Sequence, residues 1–349
     1  MPSIVSVGTA VPPFELDQQV VKEKAGVHFL RGHHDARHLT PIFDNVQVER
    51  RCLCVPLEWF YSDHSFEDRN QAYIHWAKQL SIEAIRRCLE RARVQVEEIT
   101  HLIFVSTSGL STPSIDAHII NELQFNPHIR RTPVFGLGCA GGAAGLGQAA
   151  RLASRPEEKI LLVAVEISSL TFQRDDFRKS NLVATSLFSD GAAAVLLAGN
   201  GEYTGRPRVI DSQSTIWPGT IDLMGWDFSS KGLQVIFSKK IPEVIETNLS
   251  ENMAGFLGRH QLRLQEIDHF ILHPGGGKIL TAFEKGLNLT GTALCHSRYI
   301  LRQFGNMSSA TVLFILERFL SKEQPQSGQY GICAAFGPGF SSELVLLRW

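Results

Sequence analysis

The sequence predicts a mixed α/β fold built from two related halves, and three internal matches in one chain order carry that prediction. Residues 98–103 (EITHLI) recur 168 residues later as 266–271 (EIDHFI). The glycine turn and small-residue helix around Cys139 recur as a glycine turn and an apolar helix starting at Asn306. The turn and apolar strand of 190–197 (DGAAAVLL) recur as 342–347 (SELVLL). One match is compatible with chance, whereas three in the same order imply duplication of an α/β unit. The polar, glycine-rich run 199–205 (GNGEYTG) marks the seam, with an N-terminal half over 1–200 and a C-terminal half over 201–349.

Composition bounds the rest. The 349 residues are 44% hydrophobic, enough for a sizeable core. A net charge of −1 gives no basic excess for nucleic acid and no polybasic tail for a membrane surface. The N-terminus lacks a basic n-region and no apolar run reaches membrane-spanning length. The six cysteines, at 52, 54, 88, 139, 295 and 333, include no CxxC, and the spacing of Cys52 and Cys54 does not match a zinc site. Free thiols in an untargeted chain fit a reducing cytoplasm.

Along the chain, residues 4–7 form a first strand closed by Gly8 and by Pro12 and Pro13. Residues 14–60 carry no clean period. They hold a cationic cluster of Arg31, His33, His34, Arg37 and His38, followed by Arg50 and Arg51, which is either a solvated helical face or a phosphate-holding patch. Apolar residues recur at helical spacing over 70–92, and 99–105 is a buried strand ending in Ser106, Thr107, Ser108 and Gly109.

The chemistry-bearing stretch is 134–154 (VFGLGCAGGAAGLGQAARLAS). Gly136 and Gly138 permit a tight strand-to-helix turn that puts Cys139 at a helix start. The free N–H groups and positive dipole end there favour a thiolate. A helix with so few large side chains packs between layers. His273 ends the apolar run 270–272 and is followed by Pro274 and three glycines; it either faces a cleft or is a core histidine satisfied by a carbonyl. Asn306 precedes the 307–320 helix and suits an N-cap. Together the three residues make a nucleophile and a pair of N–H donors. A Cys–His pair has a thiol pKa depressed to roughly 3.5–7.5. His and Asn donors stabilise an enolate or a thioester oxyanion, each worth roughly 3–4 kcal/mol of barrier. Such chemistry suits decarboxylation of a malonyl thioester and requires no metal or redox cofactor.

The motifs GLGC(139)AGG, H(273)PGG, GN(306)MSSA and F(336)GPG resemble those of the chalcone synthase-like, or type III, polyketide synthases over nearly the whole chain. The resemblance implies a thiolase-like fold in an αβαβα arrangement and a homodimer. It also implies iterative decarboxylative condensation of malonyl-CoA onto an acyl-CoA starter, with cyclisation to a pyrone- or resorcinol-type product. Coenzyme A thioesters are then substrates, and no cofactor is implied. By the same match Cys139 carries the acyl group, His273 and Asn306 form the decarboxylation and oxyanion pair, and Phe188 gates the pocket. Pocket-wall positions correspond to Thr107, Thr112, Ser168, Thr171, Trp226, Val235 and Ser308.

Three departures bear on the substrate. Val235 stands where plant members carry a second gating phenylalanine, which widens the entrance and makes it more apolar. The coenzyme A-binding cations of plant enzymes have no clear match, leaving Arg37, Arg50 and Arg51 as substitutes. Ala335 replaces a usual glycine. The overall pattern is similar to bacterial alkylpyrone or alkylresorcinol synthases that extend fatty acyl starters. Competing readings are a single-condensation ketoacyl-acyl-carrier-protein synthase III, which usually lacks the Pro-Gly-Gly after its histidine, and a degradative thiolase, which needs a second reactive cysteine. A catalytically silent protein that keeps the fold is the third alternative.

Overall fold

The computed structural model describes residues 1–28, 41–199, 201 and 203–349. Its strands are β1 (Ser3–Ala10), β2 (Phe14–Asp17), β3 (Arg50–Leu53), β4 (His101–Val105), β5 (Arg130–Val134), β6 (Lys159–Ile167), β7 (Asp190–Ala198), β8 (Arg208–Ile216), β9 (Met224–Ser229), β10 (Gly232–Phe237), β11 (His269–Leu272), β12 (Tyr330–Gly337) and β13 (Ser341–Arg348). Nine of them make one sheet in the order β11-β12-β13-β8-β1-β7-β6-β4-β5. Read outward from the β1–β8 contact, the two sides repeat each other. On each side an antiparallel pair (β1–β7, β8–β13) is followed by another antiparallel step (β7–β6, β13–β12) and then a parallel one (β6–β4, β12–β11). β5 is an addition to the N-terminal side alone. The halves are joined in the sheet by the pairing of Ser3 with Arg208, and an isolated bridge links Phe188 to Asn306.

Alternation along the strands sorts the core into layers, because successive side chains face opposite sides of a sheet. In β4, Leu102 and Phe104 join an outer cluster with the long helix Phe66–Ala92, while Ile103 and Val105 face inward. In β12, Ile332, Ala334 and Phe336 pack outward with the helices Ile241–Gly258 and Gly277–Gly286, while Cys333 and Ala335 face inward. The inward faces of both halves enclose the helices Gly141–Leu152 and Thr311–Lys322. The result is helix, sheet, helices, sheet, helix: the αβαβα arrangement.

The central pair of helices dictates the small-residue composition read in the sequence. A Cβ on Gly142 would fall on the carbonyl oxygen of Ser309, so this position admits no side chain while the helices stay in contact. The duplication also extends to the entry turns. A short 3-10 turn leads into β4 and β11 respectively, and in each a glutamate carboxylate accepts the backbone N–H three residues before it, Glu98 from Gln95 and Glu266 from Arg263. Helix and strand limits differ from the expected ones by a few residues, since caps decide them: Ser65 and Asp68 start the long helix at Phe66 rather than Asn70.

Candidate active site

Cys139 lies in the 3-10 turn Gly138–Ala140, which runs straight into the central helix Gly141–Leu152. The turn needs Gly138 on two counts. Its φ is +48°, in the left-handed region, and a Cβ there would sit 2.8 Å from Cδ of Pro338. Its N–H donates to Oγ1 of Thr107 at 3.2 Å, so the loop after β4 holds the turn from the other side. Cys139 is 7% exposed, and the side chains of Ser308 and Asn306 are the neighbours that favour its charged form.

Asn306 fills the N-cap role that the sequence suits it for. Its Oδ1 accepts the Ser308 N–H at 2.8 Å and the Thr311 hydroxyl at 3.4 Å, capping the turn before the second central helix. That fixes which way the amide points and leaves Nδ2, fully buried, with no hydrogen-bond partner among the described residues. A buried donor without a partner costs roughly 1–3 kcal/mol, so its vacancy is a place for a substrate oxygen. Asn306 is also held by its backbone: its N–H donates to the Leu187 carbonyl and its own carbonyl accepts from Ser189, both at 2.9 Å.

His273 follows β11, with its N–H on the Ala334 carbonyl at 2.9 Å. Its ring is 2% exposed and neither nitrogen has a partner among the described residues, so it is not a core histidine satisfied by a carbonyl. The loop after it comes back to the Asn306 clamp, where a Cβ on Gly276 would lie 3.6 Å from Leu187. Thus the loop after β11 and the turn at Asn306 meet at Leu187 and Phe188, and the turn at Cys139 packs against the 308–310 turn that follows Asn306.

The electrostatics overturn one expectation. Burial pushes the Cys139 thiol up to about 11, and burial alone pushes His273 down to about 3. At rest the pair is therefore a neutral thiol and a neutral imidazole, not a thiolate and an imidazolium. From 9.0 to about 11 is a cost of ~3 kcal/mol for the charged form, against ~0.3–1 kcal/mol from a helix end. Desolvation wins.

Two spaces open near Leu187 and Phe188, and none of Cys139, His273 and Asn306 lines either. A narrow cavity of about 50 Å³ is lined by Phe188, Ser168, Thr171 and Val235 and by Val21 and Phe60. Val235 pairs with Trp226 across the β9–β10 hairpin, and the Trp226 ring lies 6.1 Å from that of Phe188. A larger cleft of about 440 Å³ is lined by Leu187, by Gly275–Gly277 and by Lys179, Lys239 and Lys278. Thr107 and Ser308 are buried at the Cys139 turn, whereas Thr112 is exposed on the loop after β4 and lines neither space.

Of the arginines proposed for coenzyme A, neither Arg50 nor Arg51 lines the larger cleft. Arg37 lies outside the described residues. Arg50 is exposed and pairs with Glu15 at 3.2 Å. Arg51 is 3% exposed, and burial lowers it to about 10. It donates to the carbonyls of Thr185 and Phe188, which makes it an internal brace of the gate segment. The cleft lysines were missed because they come from three separate segments. Lys278, directly after the glycines that follow His273, was the one local signal. None of the three forms an ion pair among the described residues. Cys333 is fully buried inside β12, its thiol pushed up to about 12, and so does not supply the second reactive cysteine of a degradative thiolase.

Comparison with known proteins decides the family. The chalcone and stilbene synthase N-terminal domain matches residues 55–201, and the C-terminal domain of the same family matches residues 208–349. The chain belongs to the chalcone and stilbene synthase family. It is 41% identical to a chalcone synthase homologue of Bacillus subtilis (strain 168) over 100% of this chain and 99% of that one. It is 36% identical to the 1,3,6,8-tetrahydroxynaphthalene synthase of Streptomyces peucetius subsp. caesius over 99% and 93%. The solved 1,3,6,8-tetrahydroxynaphthalene synthase of Streptomyces coelicolor A3(2), a bacterial type III polyketide synthase, superposes with a TM-score of 0.95 at 30% identity, covering 99% of both chains. The fold is thiolase-like and the protein is a type III polyketide synthase, a condensing acyltransferase. Among the described residues no helix is long and apolar enough to cross a membrane.

Proposed function

We propose that this synthase extends a long-chain fatty acyl-CoA with malonyl-CoA at the Cys139, His273 and Asn306 site, and closes the chain to a pyrone- or resorcinol-type product. The apolar cavity behind Phe188 carries the reading, since its far wall is Val21, Ala25, Leu53, Leu57 and Phe60. Each methylene buried there contributes about 0.8 kcal/mol. Val235 leaves open the mouth that a phenylalanine would narrow.

The chemistry runs on neutral partners. The Cys139 thiol attacks the starter carbonyl while His273 accepts its proton, and the proton leaves with the coenzyme A thiolate. Malonyl-CoA loses carbon dioxide, and the enolate charge that develops is met by N–H donors of His273 and Asn306 Nδ2. The enolate carbon then attacks the Cys139 thioester: a C–C bond forms, the C–S bond breaks to release the cysteine sulfur, and the extended chain is left as a coenzyme A thioester, which that sulfur attacks in turn, expelling coenzyme A for another round. The phosphates of coenzyme A are assigned to Lys179, Lys239 and Lys278, with the N-terminus of the Gly277–Gly286 helix beside them. Arg50 and Arg51 are not retained in that role, for the reasons given above.

The working form is assigned as a cytoplasmic homodimer. β5 is the outermost strand with a free edge, and exposed Phe135 and Leu110 stand nearby. The strand itself is charged and carries a proline, so the exposed apolar residues beside it are the surface that a second copy of the chain would cover. Sedimentation equilibrium should give twice the chain mass at micromolar concentration; a monomer there refutes the assignment.

Product masses from malonyl-CoA and a ladder of acyl-CoA starters test the reaction itself. Two or more extension units on long starters are expected, and Val235→Phe should shift the preferred starter to shorter chains by several-fold in kcat/KM. A single extension unit would return the reading to a ketoacyl-acyl-carrier-protein synthase III. Equal use of all starters by both proteins would dismiss the cavity as the acyl site.

A further inference from the structure

The helix Lys179–Leu187 stops at Phe188, and Ser186, Leu187 and Phe188 at its end are buried from water. A helix end leaves its last carbonyls without partners inside the helix, so buried ones must be met from elsewhere in the chain. Three distant segments meet them here. Gln18 Nε2 donates to the Ser186 carbonyl at 2.7 Å, and the Asn306 N–H donates to that of Leu187 at 2.9 Å. The carbonyls on either side, of Thr185 and Phe188, both accept from one nitrogen, Arg51 Nη1, the latter at 2.9 Å. Arg51 belongs to β3, and the chain there grips the following residues as well. Ser189 Oγ accepts the Cys52 N–H at 3.0 Å and donates to the Cys52 carbonyl at 2.9 Å, and Asp190 accepts the Cys54 N–H at 2.8 Å.

We propose that Arg51 is a positioning residue for starter selection, which sets the Phe188 ring at the cavity by holding the buried end of the Lys179–Leu187 helix. Phe188 packs with Ala184 of that helix and with Val235, so where the helix ends decides where the ring stands. A guanidinium suits the place. Its positive charge meets the negative end of the helix, and its reach brings one nitrogen to two carbonyls three residues apart. Arg51 lines the same cavity and is buried, so water does not replace it on those carbonyls. Its stem has a separate task, since it runs against Gly305, where an added Cβ would lie 3.1 Å from Arg51 Cγ. The head group holds the gate, and the stem packs on the turn before Asn306.

The inference rests on the reading that the cavity behind Phe188 takes the acyl chain, and the experiment separates the two. kcat/KM is measured over a ladder of acyl-CoA starters for the full chain, Arg51→Met, Phe188→Ala and the double variant, with malonyl-CoA decarboxylation and Tm followed alongside. Methionine keeps a stem on Gly305 and removes the donors. Arg51→Met should flatten the starter profile, its best-to-worst ratio falling by about tenfold, because the ring is no longer held in one place. Decarboxylation of malonyl-CoA, which uses no starter, should fall by less. Phe188→Ala should flatten the profile too, and in that background Arg51→Met should change it no further, since one residue acting through another is not additive with it. Arg51→Lys keeps the charge on a shorter stem and should give a profile between those of the full chain and Arg51→Met. A lowered Tm with an unchanged profile makes Arg51 structural only and overturns the proposal. A further change in the Phe188→Ala background also overturns it, since Arg51 would then meet the acyl chain itself. If Phe188→Ala shifts the profile and Arg51→Met does not, the acyl cavity stands and the brace falls; if neither shifts it, both fall. If Arg51→Met fails to fold, Arg51→Lys decides instead, with a shift of about threefold expected that is absent in the Phe188→Ala background.

Discussion

Replacing Cys139 by alanine is expected to abolish transfer of the starter and formation of every polyketide product, while slow loss of carbon dioxide from malonyl-CoA persists. In the proposed mechanism the Cys139 sulfur holds the acyl chain between condensations. Its loss should lower product formation by roughly 10⁶-fold, the scale seen when a covalent nucleophile is removed. The fold should tolerate the change, because the site lies in a tight turn where a small side chain already sits. Residual decarboxylation follows from the geometry, since the unpartnered nitrogens of His273 and Asn306 remain in place. Intact-protein mass after exposure to acyl-CoA checks the first part, and carbon dioxide release from malonyl-CoA checks the second. An acyl adduct on the alanine variant would move the nucleophile elsewhere.

Asn306→Ala should do the reverse. Loading of Cys139 is expected to survive with a modest slowing, because the Asn306 side chain also favours the charged form of the sulfur. Decarboxylation should fall by roughly 10²–10³-fold, the cost of one oxyanion donor. A second effect is separable. The alanine also removes the cap on Ser308, worth ~1 kcal/mol of stability, whereas Asn306→Asp can keep that acceptor while losing the donor. Decarboxylation lost in both variants, with stability lowered mainly in the alanine one, distinguishes donor from cap. If aspartate restores decarboxylation, the donor role is wrong.

The parts of this molecule that were legible in its sequence are those fixed by neighbours along the chain. The duplicated strand of 98–103 and 266–271 was visible because the same capped turn and apolar run must be written locally in each half. Cys139 was legible from Gly136 and Gly138, whose turn no other residue makes easily. Asn306 was half legible: Asn before a helix signals a cap, but that the cap orients Nδ2 to an empty position depends on Ser308 and Thr311 together.

What was not legible depends on burial and on distant segments. The helix end at Cys139 argues locally for a thiolate, but the surrounding layers remove water and reverse the sign. Lys179, Lys239 and Lys278 share a cleft only because three elements meet at the loop after His273, whereas Arg51, conspicuous in the sequence, is turned inward onto the carbonyls of Thr185 and Phe188.

The central claim is that one sulfur holds the growing chain through successive condensations. Quenching the reaction before completion, digesting the protein and weighing the Cys139 peptide tests it most directly. The account predicts a series on that peptide: the starter, the starter plus one ketide unit, and the starter plus two. A peptide carrying the starter alone throughout turnover, or the extended chains on another cysteine, would contradict it.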